Sequence, residues 1–296
     1  MYLINADTAV MDLKMTLETI TYLQDLNMVD FDKNYVKAKK PVILSNFISN
    51  SDAFKNWNYD YFRKEAGNKL VAVHGSEHAH PDYVTSPAES EMTFSNYLDL
   101  IEEGPSELRL FLFNLLVYKP KLRKALQVTP PMKGFLTNFP LLFFGGEGAS
   151  VRYHYDIDMS HVFLSQFEGE KKIYLFPNNQ SVFLYKLPFN FHGLVDLRNP
   201  DYEKYPALKL LKGWECTLKP GETLYIPSGY WHYIQYLSQG YSVSHRALSA
   251  SFADKLTGFK NIFIIRRIDN ILRRLFGQKW FDYKLKKANR NTKKYL

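Results

Sequence analysis

Between residues 139 and 250 the chain alternates short apolar runs with Gly, Pro and Asn: Pro140 to Phe144, Val162 to Phe167, Lys172 to Phe176, Trp214 to Leu218, Thr223 to Ile226 and Tyr241 to His245. Runs of this length, bounded by turn residues, predict strands, and their regular recurrence favours a sandwich or barrel over an alternating α/β sheet. The first part of the chain is patterned differently. Met11, Leu13, Met15, Leu17, Ile20, Leu23 and Leu26 have helix-like spacing, which predicts a helix within 8–40 ending near Lys39-Lys40-Pro41. Pro41 to Leu44 and Leu70 to Val73 read as strands, Ala53 to Glu65 as a helix with Trp57, Tyr61 and Phe62 inward, and Thr93 to Glu103 as a helix stopped by Gly104-Pro105. The polar stretch from Glu77 to Glu91 reads as a loop. From Asp254 onward Ile262, Ile265, Ile268, Ile271, Leu272, Leu275 and Phe276 repeat at helical spacing, with arginines between them. Three regions follow: N-terminal helical and strand elements (1–138), a strand-rich core (139–250) and a basic helical extension (251–296).

Composition narrows the class. The 296 residues are 46% hydrophobic, enough for a substantial core, and 22 Phe with 21 Tyr suit strand packing better than a helix bundle. The single cysteine, Cys216, excludes an intrachain disulfide and any cysteine-based zinc cluster. The first fifteen residues carry Asp7, Asp12 and Lys14 and lack the cationic start and apolar run of a signal peptide. No run approaches the roughly 18 apolar residues of a membrane span. These features predict a soluble, cytoplasmic protein with no transmembrane segment. The net charge of +8 is local: residues 254–296 hold 13 Lys/Arg against 3 Asp/Glu, a net of +10, and the remainder carries −2.

The chemistry concentrates in Val151-Arg-Tyr-His154-Tyr-Asp156. On a strand, alternate side chains share a face, so His154 and Asp156 lie about 7 Å apart along the backbone and point the same way. A third ligand is available in Pro220-Gly-Glu-Thr-Leu-Tyr-Ile-Pro-Ser-Gly-Tyr-Trp-His232, where a Pro-Gly turn opens a strand and the histidine follows a second turn. Two histidines and one carboxylate on one face leave open positions on a divalent metal, as in non-haem Fe(II) oxygenases.

The ordered set of His154-x-Asp156, Gln166-Phe-Glu-Gly169 through Pro177, Asn199-Pro-Asp-Tyr-Glu203 and the Pro-Gly…Tyr-Ile-Pro…Trp-His element resembles the JmjC/cupin-like-domain family of Fe(II)- and 2-oxoglutarate-dependent oxygenases, most of all the branch with the asparaginyl hydroxylase acting on hypoxia-inducible factor. The resemblance spans about Pro41 to Ser249. It implies a mainly β double-stranded β-helix (jelly roll), with His154, Asp156 and His232 as iron ligands and catalytic centre. It further implies Lys171 as the cation for the distal carboxylate of 2-oxoglutarate, and Arg246 as a partner for a carboxylate of co-substrate or substrate. The implied activity is that of a dioxygenase coupling oxidative decarboxylation of 2-oxoglutarate to C–H hydroxylation of an unidentified protein side chain, tRNA or small molecule. Relatives that dimerise through C-terminal helices suggest a homodimer, and the basic end suggests an anionic partner.

This sequence departs from the hydroxylase in three ways. The segment from His154 to Gly169 is two residues longer, so a bulge or longer turn is expected near Asp158 to His161. Val151 stands where that relative has a hydroxyl donor to 2-oxoglutarate, and Asp158 and His161 add ligand-type side chains. Two other readings stay open: a non-catalytic cupin-like binding protein, and a metal-dependent cupin enzyme that does not use 2-oxoglutarate. Strand alternation turns Lys172 outward if Lys171 is inward. His245 reads as packed and His78-Ala-His80 as a surface loop. Gly145 to Gly148 reads as a tight turn, Asn199 to Glu203 as a helix-starting loop, and Lys284 to Lys294 as a frayed solvated tail.

Overall fold

The computed structural model describes residues 14–76, 82, 87–111 and 113–296. The N-terminal part contains β1 (Thr16–Thr19), β2 (Tyr22–Leu23), α1 (Met28–Phe31), β3 (Val42–Leu44), α2 (Asp52–Asn56), α3 (Tyr59–Ala66), β4 (Leu70–His74), β5 (Ser90–Thr93), α4 (Phe94–Glu103), β6 (Arg109–Leu110), α5 (Leu115–Tyr118) and α6 (Pro120–Ala125). The core follows as β7 (Leu141–Gly145), β8 (Ser150–His154), β9 (His161–Glu168), β10 (Lys171–Phe176), β11 (Lys212–Leu218), β12 (Thr223–Ile226), β13 (Trp231–Tyr236) and β14 (Gly240–Ala247). Three helices close the chain: α7 (Phe252–Lys260), α8 (Arg266–Phe276) and α9 (Gln278–Thr292).

Two sheets face each other. One has the order β1-β11-β10-β13-β8, the other β2-β3-β12-β9-β14-β7-β6-β4-β5. The chain is mainly β, a two-sheet core of the kind that the spacing of apolar runs favours and that the resemblance specifies as a jelly roll. Ile43, Val162, Leu164, Ile173, Leu175, Leu218, Leu224 and Ile226 fill one part of the interior between the sheets. Strands before residue 139 lengthen both sheets, β1 beside β11 and β3 beside β12.

The outer face of the longer sheet is covered by α2, α3 and α4 through an aromatic cluster. Phe62 meets Phe144 edge-on at 5.3 Å and Tyr241 at 5.1 Å, and Trp57 stacks on Phe167 at 5.3 Å. Each such ring contributes roughly 1.5–3 kcal/mol by leaving water. The single helix expected over 53–65 is two helices, because Trp57 turns extended and Asn58 caps a new start by accepting from the Tyr61 N–H at 2.8 Å. α4 starts as read: the Thr93 hydroxyl accepts from the Asn96 N–H.

The N-terminal helix expectation fails. Of 8–40, residues 8–13 lie outside the described residues, and the rest forms β1, β2 and a short helical stretch, α1 followed by a wider π-type turn over Asp32–Lys37. Thr16-Leu-Glu-Thr19 has a β-branched residue at each end, and its parallel pairing with β11 satisfies its backbone better than an isolated helix would. The expected frayed tail is also corrected. Lys284 to Thr292 lies within α9, where Lys284 is completely buried and the Thr292 hydroxyl donates to the Val182 carbonyl at 2.8 Å. The added length between His154 and Gly169 is a turn. The Met159 N–H donates to the Asp156 carbonyl at 3.0 Å, with Met159 at φ +56°.

Candidate metal centre

Strands β8 and β13 run antiparallel with His154 opposite His232, which brings the two rings to a centroid separation of 4.2 Å. His154 Nδ1 donates to the Arg152 carbonyl at 2.9 Å, and His232 Nδ1 donates to the Tyr230 carbonyl at 3.1 Å. A carbonyl only accepts, so both rings carry their proton on Nδ1 and present the Nε2 lone pair. Asp156 lies two residues past the end of β8, at the start of the turn to β9. One ligand atom from each of His154, Asp156 and His232 falls within 4.8 Å of the others, the metal-type cluster found among the described residues.

The protonation states suit a cation. Burial, reinforced by the neighbouring His232, drops His154 to about 3, and burial also lowers His232, so both imidazoles are neutral at pH 7. Burial alone would raise Asp156, but the Arg246 charge and its hydrogen bond outweigh it and hold the carboxyl below its usual range. Arg246 Nη2 donates to Asp156 at 2.6 Å, and Nη1 donates to Asp158 at 3.1 Å and to the Ser160 hydroxyl at 2.9 Å. The arginine expected to meet a carboxylate of co-substrate or substrate therefore already holds two carboxylates of its own chain.

The triad opens into a cavity of about 430 Å³ between the sheets. Lys171 enters it from β10, 1% exposed, donating to the Ser242 hydroxyl, with its ammonium 4.3 Å from the centre of the Tyr236 ring. Burial depresses Lys171 to about 7. Lys172 faces the other way and pairs with Glu215 at 2.5 Å, as strand alternation required. Tyr236 can lie here because residue 145 is glycine: a Cβ there would be 2.6 Å from the ring.

The remaining sequence expectations divide. Val151 lines the cavity. His161 is buried away from the triad, its Nδ1 2.9 Å from the Tyr225 hydroxyl and accepting from the Ser228 N–H at 3.2 Å. His245 packs, stacked on Phe135 at 5.1 Å. Asp201 caps the loop before Pro206 by accepting from the Lys204 N–H at 2.8 Å. His78-Ala-His80 lies outside the described residues. Sequence reasoning missed Arg109, Arg152, Tyr236, Ser242 and Arg266, all of which line the cavity. Arg109 was detectable as a lone charge in the apolar run Leu108 to Phe113.

Residues 28–249 match the cupin-like domain model, which covers most of the chain, and the chain belongs to this cupin-like, JmjC-containing family. It is 27% identical over 268 residues to JmjC domain-containing protein D of Dictyostelium discoideum, covering 81% of this chain and 58% of that protein. It is 29% identical over 245 residues to lysine-specific demethylase JMJ30 of Arabidopsis thaliana (78% and 55% covered), and 25% identical over 230 residues to mouse tRNA wybutosine-synthesizing protein 5 (71% of each). The chain spans about half the length of the first of these relatives. They do not bear on the finer likeness to the asparaginyl hydroxylase. Fe(II) and 2-oxoglutarate are the cofactors of the JmjC group, and the donor set fits the metal: two Nε2 lone pairs and an ionised carboxylate on one face. No helix among the described residues is long and apolar enough to cross a membrane.

Proposed function

We propose that this chain is an Fe(II)- and 2-oxoglutarate-dependent oxygenase that hydroxylates a C–H bond of a substrate still to be identified. The observation that carries the reading is the convergence of two neutral imidazoles and one ionised carboxylate in the cavity that also holds a buried lysine. His154 and His232 hold iron through Nε2, their rings fixed by the Nδ1 bonds to Arg152 and Tyr230. Asp156 gives a carboxylate oxygen, and Arg246 keeps it ionised and oriented. Lys171, steadied by Ser242 and Tyr236, takes the distal carboxylate of 2-oxoglutarate by a charge-assisted bond. When bound, the metal and co-substrate supply the oxidising power from O₂, with 2-oxoglutarate leaving as succinate and CO₂. Phe143, Ile226 and Ile234 line the cavity and limit water at the reacting face.

The substrate class is open to a protein side chain, in line with the demethylase names among the relatives, a tRNA, in line with the wybutosine name, or a small molecule. Anaerobic addition of Fe(II) and 2-oxoglutarate to metal-free protein is expected to produce a visible charge-transfer band that His154→Ala and Lys171→Ala both lose. Iron binding without the band would favour metal chemistry that does not use 2-oxoglutarate, and no iron binding would favour a cupin-like binding protein.

A further inference from the structure

Arg109 is among the cations of the cavity that have no task in that reading. Arg109 opens β6, with its backbone in register with His74 on one side and Gly145 on the other, and its side chain lines the cavity that holds the triad. It is 8% exposed. The other cation partners differ in kind. Arg246 is bound by Asp156 and Asp158, and Lys171 donates to Ser242 and faces the co-substrate. Arg109 forms no ion pair and no side-chain hydrogen bond with the described residues. It lies 5.7 Å from the centre of the Phe111 ring, and its Nε is buried without an acceptor. Asp156 is the one carboxylate among the residues that line this cavity.

A guanidinium stays charged even when burial lowers its pKa, so Arg109 is a buried charge without a counter-ion among the described residues. Such a group carries a large desolvation penalty unless an anion joins it. 2-Oxoglutarate does not supply that anion, because one of its carboxylates goes to the metal and the other to Lys171. We propose that Arg109 binds an oxyanion carried by the molecule being oxidised, so that the substrate is an acid presenting a carboxylate or phosphate inside the cavity. The planar fork of Arg109 fits either group in bidentate fashion. Arg266, exposed on α8 at the edge of the same cavity, extends the cationic path outward. The inference rests on the proposed function for the task of Lys171.

Thermal melting with inorganic phosphate or acetate at millimolar concentration tests it on wild type, Arg109→Met and Arg109→Lys. Each protein is measured metal-free and also loaded with Mn(II) and 2-oxoglutarate, and a parallel anaerobic titration reads the 2-oxoglutarate midpoint from the charge-transfer band. Wild type is expected to gain several degrees with at least one anion, and the arm that responds separates phosphate from carboxylate. Arg109→Met is expected to melt above wild type without anion, to show no anion-dependent gain, and to keep its 2-oxoglutarate midpoint within about twofold. Equal gains in wild type and Arg109→Met would mean an adventitious ion only. That result, no gain with either anion in wild type, or a tenfold weaker 2-oxoglutarate midpoint in Arg109→Met would overturn the proposal. A missing band in wild type would fail the oxygenase reading alone, since the metal-free melts still report on Arg109. Should Arg109→Met not fold, Arg109→Lys and Arg109→Gln carry the same comparison.

Discussion

At the residue scale, Lys171 makes the site sensitive to pH in a direction that can be worked out. Burial lowers it from the ordinary 10.5 to about 7. Between those values the folded chain binds fewer protons than the unfolded one, so the stability of the ligand-free protein rises with pH across that window. Binding a carboxylate needs the ammonium form. The affinity for 2-oxoglutarate should therefore be flat below pH 7 and fall by about tenfold per unit above it. Calorimetry in two buffers of different ionisation enthalpy should reveal proton uptake on binding near pH 7.5. In Lys171→Met the uptake and the pH slope of the melting temperature should both vanish, and a retained slope would assign it to another group. The face taken by Lys171 was legible in the sequence because strand period sends Lys171 and Lys172 to opposite sides. The counter-ions of Arg246 were not legible, because Asp158 reaches Arg246 only through the extra turn after Asp156, a shape that spacing alone does not encode.

At the scale of elements, the site depends on a helix that sequence reading took for a tail. The Lys284 ammonium donates to Asp82 at 2.5 Å, Asp269 at 2.8 Å and Asn190 at 2.9 Å, while Arg273 Nε donates to Asp82 at 3.0 Å. This buried cluster ties α8 and α9 to the segment carrying Asn190 and His192. His192 lines the cavity and forms a backbone bridge with His154. Lys284→Met keeps most of the volume but removes one of the cations balancing two buried carboxylates. It is expected to cost about 3–5 kcal/mol in urea unfolding, and Asp269→Asn in the same chain should recover part of it. A loss below about 1 kcal/mol would mean that apolar packing, not this cluster, holds α9. The run Lys284 to Lys294 looked solvated because composition shows charge and not its partners: Asp82 lies 202 residues away along the chain, and Asp269 meets Lys284 only when α9 folds back on α8. The core strands were legible for the opposite reason. Their pattern of short apolar runs and turns is local, as is the turn before His232, whereas the strand β13 that carries His232 was not among the apolar runs read. The misread N-terminal segment lies between these cases, since its apolar spacing was helical but its place beside β11 is set by tertiary contact.

At the scale of the molecule, the C-terminal extension leaves apolar surface uncovered. Phe252, Leu256, Phe259, Phe263, Ile271 and Leu275 are all more than two-fifths exposed along α7, the π-type stretch Asn261–Ile265 and α8. A helical path of about 25 residues measures roughly 37 Å, long enough for a specific interface. Soluble chains rarely leave a stripe of this kind bare. Two occupants are in question, an anionic surface or a second copy, and the length and continuity of the apolar stripe favour the second copy. Of the cations on these helices, Arg273 is turned into the Asp82–Asp269 cluster, while Lys255, Lys260, Arg266, Arg267 and Arg274 are exposed and would lie around the rim of a two-fold contact. We therefore expect a homodimer formed by α7 and α8 with two-fold symmetry, the same stripe on each copy. Sedimentation equilibrium of the wild type should return twice the 34.7 kDa of the chain, and Ile271→Glu with Leu275→Glu should return 34.7 kDa. Neither side chain lines the cavity, so the double variant should keep its charge-transfer band with Fe(II) and 2-oxoglutarate. A wild type that sediments as one chain and floats with phosphatidylserine vesicles would transfer the stripe to a membrane surface. The band in the monomeric variant separates the two roles of the extension, since a site that survives loss of the stripe draws on α8 and α9 within one chain.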